Sequence, residues 1–88
     1  MISENELSQI EERVMRTQPA PWKAFIENRD HESGSSFIMT GQGDLRGNDI
    51  EMLGANEADY DFIANARQDI PRLIEEIREL KKQSRPIN

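Results

Sequence analysis

From Ala58 to Leu80 the apolar residues fall at Phe62, Ile63, Ala66, Ile70, Leu73, Ile74, Ile77 and Leu80. Steps of three and four draw one stripe along a helix of about 3.6 residues per turn. The stripe keeps its phase across Pro71, which lacks an amide hydrogen and crowds the preceding turn. The pattern predicts one long kinked helix, or two nearly collinear ones, over about 57–83. A shorter seam, Leu7, Ile10, Val14 and Thr17, opens the chain. Ser3 and Glu6 ahead of it match a capping box, with Ile2 and Leu7 placed as a hydrophobic staple. Glu12 and Arg16 are spaced to pair across one turn. Gln18 precedes Pro19 and is pushed away from helical angles, so this helix is expected over about 4–17.

Between the helices the period changes. Trp22, Ala24 and Ile26 alternate with polar or aromatic neighbours and predict a strand over about 22–27. The polar run from Asn28 to Ser36, with Gly34 inside it, reads as a hairpin loop. Phe37 to Thr40 predicts a second strand, over about 36–40, and Ile50 to Leu53 a third, over about 49–53. The glycine-rich segment Gly41 to Asp49 links them. Short strands with short links favour antiparallel pairing. The expected fold is α+β, one domain over residues 1–88: an N-terminal helix, a three-stranded antiparallel sheet and a long kinked C-terminal helix. Its core is expected from Leu7, Ile10, Val14, Phe62, Ile63, Ala66, Ile70, Leu73 and Ile77. Leu73, Ile77 and Leu80 carry the stripe beyond what a short sheet covers, which predicts a homo-oligomer through the last helix. Lys81, Lys82 and Arg85 place cations at that helix's negative pole, and Pro86 is expected to stop it before a frayed end.

Composition narrows the function. Eighty-eight residues bury little core, and the absence of cysteine removes disulfides, thiolate zinc sites and cysteine nucleophiles. That agrees with a reducing, cytoplasmic setting. No apolar run reaches the roughly 20 residues that span a bilayer, and the acidic opening MISENELSQIEE does not fit a signal or transit peptide. The net charge of −6 is uneven: residues 1–66 hold five basic and thirteen acidic side chains, residues 67–88 six basic and four acidic. An acidic body argues against duplex DNA as a partner, because phosphate contacts supply most of that affinity.

Candidate chemistry is thin. Gly41, Gly43 and Gly47 are spaced GxGxxxG and lead into a β-like segment, so neither a dinucleotide fingerprint nor a Walker loop is met. Arg46 among those glycines still offers an anion contact. His31 is the sole histidine, which is too few for a metal site and leaves Ser33, Ser35 and Ser36 without a positioned base. Glu75, Glu76 and Glu79 read as a solvated helix face. No enzyme, metal or cofactor is expected. Trp22, after the stiff Pro19-Ala20-Pro21, is either a plug between helix and sheet or a stacking platform for a planar ligand beside Arg67 or Arg72.

Two segments together resemble a family of small, uncharacterised bacteriophage, prophage and bacterial proteins. Arg16-Thr17-Gln18-Pro19-Ala20-Pro21-Trp22 is similar to its T-P-G-P-W signature, with Ala20 in place of the glycine. Asp61-Phe62-Ile63-Ala64-Asn65-Ala66-Arg67-Gln68-Asp69-Ile70-Pro71, within Asp59 to Leu80, resembles its closing helix, DFIAxARQDxPxLLxEI. The resemblance implies a phage-type accessory protein in the cytoplasm of an infected or lysogenic bacterium, and no reaction. The expected function is non-catalytic binding, with counter-defence by sequestering a small anionic or nucleotide signal as the sharper form. Trp22, Arg46, Arg67, Gln68 and Arg72 are its expected ligand-binding residues. The alternative is an acidic factor that binds and modulates a host protein.

Overall fold

The computed structural model describes residues 1–32 and 34–84. Ser33, Arg85 and Pro86, on which three of the expectations above fall, lie outside them. Helix α1 spans Glu4–Met15 and is capped by Ser3, whose hydroxyl accepts from the Glu6 amide at 3.1 Å. Its end comes two residues before the expected Thr17, because the Thr17 amide and hydroxyl both turn back onto the Val14 carbonyl, at 3.1 and 2.6 Å. Glu12 and Arg16 form the expected pair.

Strands β1 (Trp22–Phe25) and β2 (Phe37–Thr40) pair antiparallel, with Trp22 opposite Thr40 and Phe25 opposite Phe37. The first strand stops short of residue 27 because a side chain takes the Glu27 amide that would next have met β2, while another takes the outward-facing Ile26 amide. Asp30 Oδ2 accepts from Ile26 N at 2.8 Å, and Ser36 Oγ from Glu27 N at 3.1 Å. The tip turns at Asn28, φ 67°.

The expected third strand over 49–53 does not form; the described residues carry a two-stranded sheet. Only Ile50 pairs, exchanging bonds of 2.8 and 2.9 Å with Ile38. Both ladder neighbours are intercepted by hydroxyls. On one side the Tyr60 hydroxyl accepts from Met52 N at 2.9 Å and lies 3.2 Å from the Ser36 carbonyl, the oxygen Met52 would have met in a continuing strand. On the other, Thr40 Oγ1 donates to Asn48 O at 2.7 Å. Between β2 and Ile50 the glycine-rich segment makes a short 3-10 turn, Gly43–Leu45. Gly41, at φ +70°, must be glycine there: a Cβ would stand 2.1 Å from the Leu45 carbonyl oxygen.

Helix α2, Glu57–Gln83, runs unbroken through Pro71 for 27 residues, a length of about 40 Å. A full capping box starts it: Asn56 Oδ1 accepts from Asp59 N at 2.8 Å, and Asp59 Oδ2 from Asn56 N at 3.0 Å. The face it buries overlaps the expected stripe only in part, with Ala66, Ile70 and Ile77 half-buried. Tyr60, Ala64 and Ile74 are buried, whereas Phe62 is 75% exposed, Leu73 58% and Leu80 54%. The sheet selects this side because Ala64 lets the helix approach closely and Tyr60 brings the hydroxyl that the Met52 amide requires. The core accordingly joins Ala24, Ile26 and Ile38 to Tyr60 and Ala64, with Leu7 and Val14 of α1 buried beside α2.

Helix α1 lies antiparallel along α2. At the far end Arg78 bonds Glu4 and Glu11, both at 2.9 Å, and Lys81 Nζ donates to the Ile2 carbonyl at 2.7 Å. At the near end Arg67 Nε donates to the Gln18 carbonyl at 3.3 Å. A second clamp ties the hairpin tip to the start of α2: Arg29 contacts Asp30, Glu57 and Asp61 at 2.7–2.8 Å. Hydrogen bonds that Arg29 donates to Asp61, Asp30 and Glu57 raise its pKa, and Arg29 in turn holds the Asp30 and Asp61 carboxyls below their ordinary range.

Candidate functional site

Where α1, β1 and α2 meet, the chain leaves a groove of about 260 Å³. Ile10, Val14 and Arg13 line it from α1, Ile63, Ala66, Arg67 and Ile70 from α2, and Trp22 from β1. Each wall has a local reason. Positions 10, 13 and 14 share one face of α1, and 63, 66, 67 and 70 one face of α2. Because the α2 surface that meets the sheet is centred on Tyr60 and Ala64, this neighbouring face stays free on its outer side.

Trp22 is held at three points. Its indole N–H donates to the Gln18 carbonyl at 3.1 Å, and its main-chain N–H and carbonyl bond Gln68 Oε1 and Nε2 at 2.7 and 3.0 Å. It packs on the core cluster while also lining the groove. The Gln18 carbonyl takes Arg67 Nε as well as the indole, which ties ring and cation to a single atom. The side chain of Gln18 accepts from Asn48 N at 3.4 Å, and its oxygen would stand 2.6 Å from a Cβ at Gly47. The glycine-rich loop is thus seated against the connector before Trp22.

Charge pairing marks the groove further. Among the described residues Arg16, Arg29, Arg46 and Arg78 each meet a carboxylate within ion-pair distance, and Arg13, Arg67 and Arg72 do not. Two of those three, Arg13 and Arg67, line the groove.

Of the residues expected to bind ligand, the structure brings Trp22, Arg67 and Gln68 together. Arg46 lies on the glycine-rich loop, engaged by Asp49 at 2.7 Å and the Gly47 carbonyl at 2.8 Å. Arg72 lies beside Asp69, Leu73 and Glu76 in a separate depression on α2. Leu73 and Leu80, expected at an oligomer interface, are exposed, and Ile77 is half-buried. His31 is half-buried with its ring 5.6 Å from that of Phe37. Among the described residues no three His, Cys, Asp or Glu side chains converge as metal ligands would.

Sequence reasoning passed over Gln18 and Arg13. The part Gln18 plays is carried by a main-chain carbonyl, which no residue pattern announces. Arg13 left a usable signal, since it neighbours Val14 on the α1 seam and has Thr17 one turn on. Comparison of the chain with protein-family models, with curated proteins and with solved structures finds no match.

Proposed function

We propose that the protein is a non-catalytic binding protein of phage type that sequesters a small anionic, ring-bearing ligand, a nucleotide signal being the fitting chemistry, and thereby acts in counter-defence. One observation carries the reading. In a chain of net charge −6, two arginines without a carboxylate partner among the described residues flank an apolar groove walled by the only tryptophan. A planar ring would stack on Trp22, which contributes about 1–3 kcal/mol for a base. Phosphate oxygens would take the guanidinium hydrogens that Arg67 and Arg13 have left. The resemblance of both end segments to phage proteins supports the setting, the cytoplasm of an infected or lysogenic host.

The groove is smaller than the roughly 300–1,000 Å³ of ordinary ligand pockets. A second copy of the chain, laid on the exposed face of α2 that carries Phe62, Leu73 and Leu80, would deepen it, so the binding form is a homo-oligomer. The same exposed residues are what favours the other reading, an interaction factor for a host protein. Titration of linear and cyclic nucleotides, followed by Trp22 fluorescence and calorimetry, separates the two. Binding is expected, and Arg67→Ala should weaken it at least tenfold, which corresponds to about 1.4 kcal/mol. Folded protein that binds nothing in that panel at high micromolar concentration would leave the protein-partner reading.

A further inference from the structure

We propose that Gln68 is the positioning residue of the groove: its side-chain amide substitutes for a neighbouring strand at the free edge of β1 and fixes where the Trp22 wall stands. The proposal rests on the groove being the binding site. An amide that exchanges both N–H and C=O bonds with one residue is what the next strand of a sheet would supply. Gln68 does this from α2, accepting from Trp22 N at 2.7 Å and donating to Trp22 O at 3.0 Å. Its second amide hydrogen goes to the Ala64 carbonyl at 3.1 Å. A primary amide has two hydrogens, and both are spent. Gln68 therefore has no donor left for a ligand and acts through Trp22.

The consequence lies in register. Gln68 follows Arg67 directly, so one turn of α2 both anchors the tryptophan and presents the cation. The Gln18 carbonyl closes the arrangement by receiving the indole N–H at 3.1 Å and Arg67 Nε at 3.3 Å. The separation of ring and charge is thus set by one turn of α2 and one carbonyl. Such preorganisation leaves less ordering to be done when a ligand that needs both groups arrives.

The test needs no ligand, so its failure is distinct from a failure of the nucleotide panel. Gln68→Met keeps the length of the side chain and removes all three bonds. Amide hydrogen exchange read by NMR should then quicken roughly tenfold or more at Trp22, the change expected when a part-buried bond is lost. The Ile38 amide, bonded to Ile50 at 2.8 Å, should keep its rate. The near-ultraviolet circular dichroism of the single tryptophan should fall with it. Unchanged exchange at Trp22, or equal acceleration at Trp22 and Ile38, would make Gln68 an ordinary stabilising residue and overturn the proposal. Should Gln68→Met not fold, Gln68→Glu decides: it keeps an acceptor for the Trp22 amide and loses both donors, so exchange at Trp22 stays slow while the tryptophan dichroism falls. Wild-type dichroism in that variant, or failure of both variants to fold, overturns the proposal as well.

Discussion

Tyr60 places a hydroxyl where a third strand would place a peptide. Its oxygen accepts from Met52 N and lies within bonding distance of the Ser36 and Met52 carbonyls, 3.2 and 3.3 Å away. Thr40, fully buried, does the same work at the other end of the Ile38–Ile50 bridge. Gln68 and Asp30 serve the opposite edge, at Trp22 and Ile26. Side chains thus close both edges of a two-stranded sheet that would be marginal alone. Removing one such hydroxyl strands an amide inside the protein, which costs about 1–3 kcal/mol. Tyr60→Phe is expected to lose that much in urea denaturation while keeping its ring in the core. A loss below about 0.5 kcal/mol, less than a typical net hydrogen bond, would mean that Met52 finds water or pairs directly with Ser36.

At the scale of elements, the orientation of α2 decides most of what the protein exposes. Two stripes run along the first half of this helix, one of large apolar residues and one through Tyr60, Ala64 and Gln68. The sheet takes the second. Pro71 is half-buried within the unbroken helix, and its missing amide leaves the Arg67 carbonyl without its helical partner. Pro71→Ala restores that bond, so the variant is expected to fold and to melt no lower than the wild type. A lower melting temperature would assign the proline ring a packing role that outweighs the bond.

The Arg29 clamp adds a dependence on pH. Arg29 lowers the pKa of Asp30 and Asp61, so the stability these groups bring is complete above the ordinary carboxylate range. It is lost as pH falls through their lowered folded values. The melting temperature of Arg29→Ala should lie below that of the wild type near neutral pH, and the gap should close on acidification. Because the groups are exposed, high salt should also narrow it. A gap that widens in acid would contradict the assignment.

The whole molecule is elongated, 61 × 28 × 18 Å, with a Cα radius of gyration of 16.6 Å. A compact chain of this length would have about 12 Å. The excess comes from α2, whose second half is accompanied by α1 alone and leaves Leu73 and Leu80 in water. A rod with an apolar flank gains by covering it with a like surface. Light scattering at tens of micromolar is expected to give a mass of at least two chains of 10.2 kDa, and Phe62→Glu with Leu73→Glu should return it to one. A wild-type monomer at that concentration would remove the homo-oligomer from the proposed function.

The two helices, the Ser3 cap and the first two strands were legible in the sequence, because capping, proline punctuation and apolar period act over a few residues. The meeting of Trp22 with Arg67 and Gln68 was legible as well, from two motif-like segments that each carried unusual residues. The third strand was misread because Ile50 to Leu53 has strand-like residues, while the groups that intercept its bonds, Tyr60 and Thr40, lie outside it. The face of α2 was misread for a related reason. Hydrophobic period ranks Phe62 and Leu73 above Ala64 and Gln68, but close approach to a sheet edge favours a small residue and an amide. Local interactions along the chain determined which segments became helix and strand. Only the tertiary structure decided which side of α2 met the sheet, and hence that an apolar groove was left open beside two arginines that meet no carboxylate among the described residues, because that choice depends on bonds between residues more than forty positions apart.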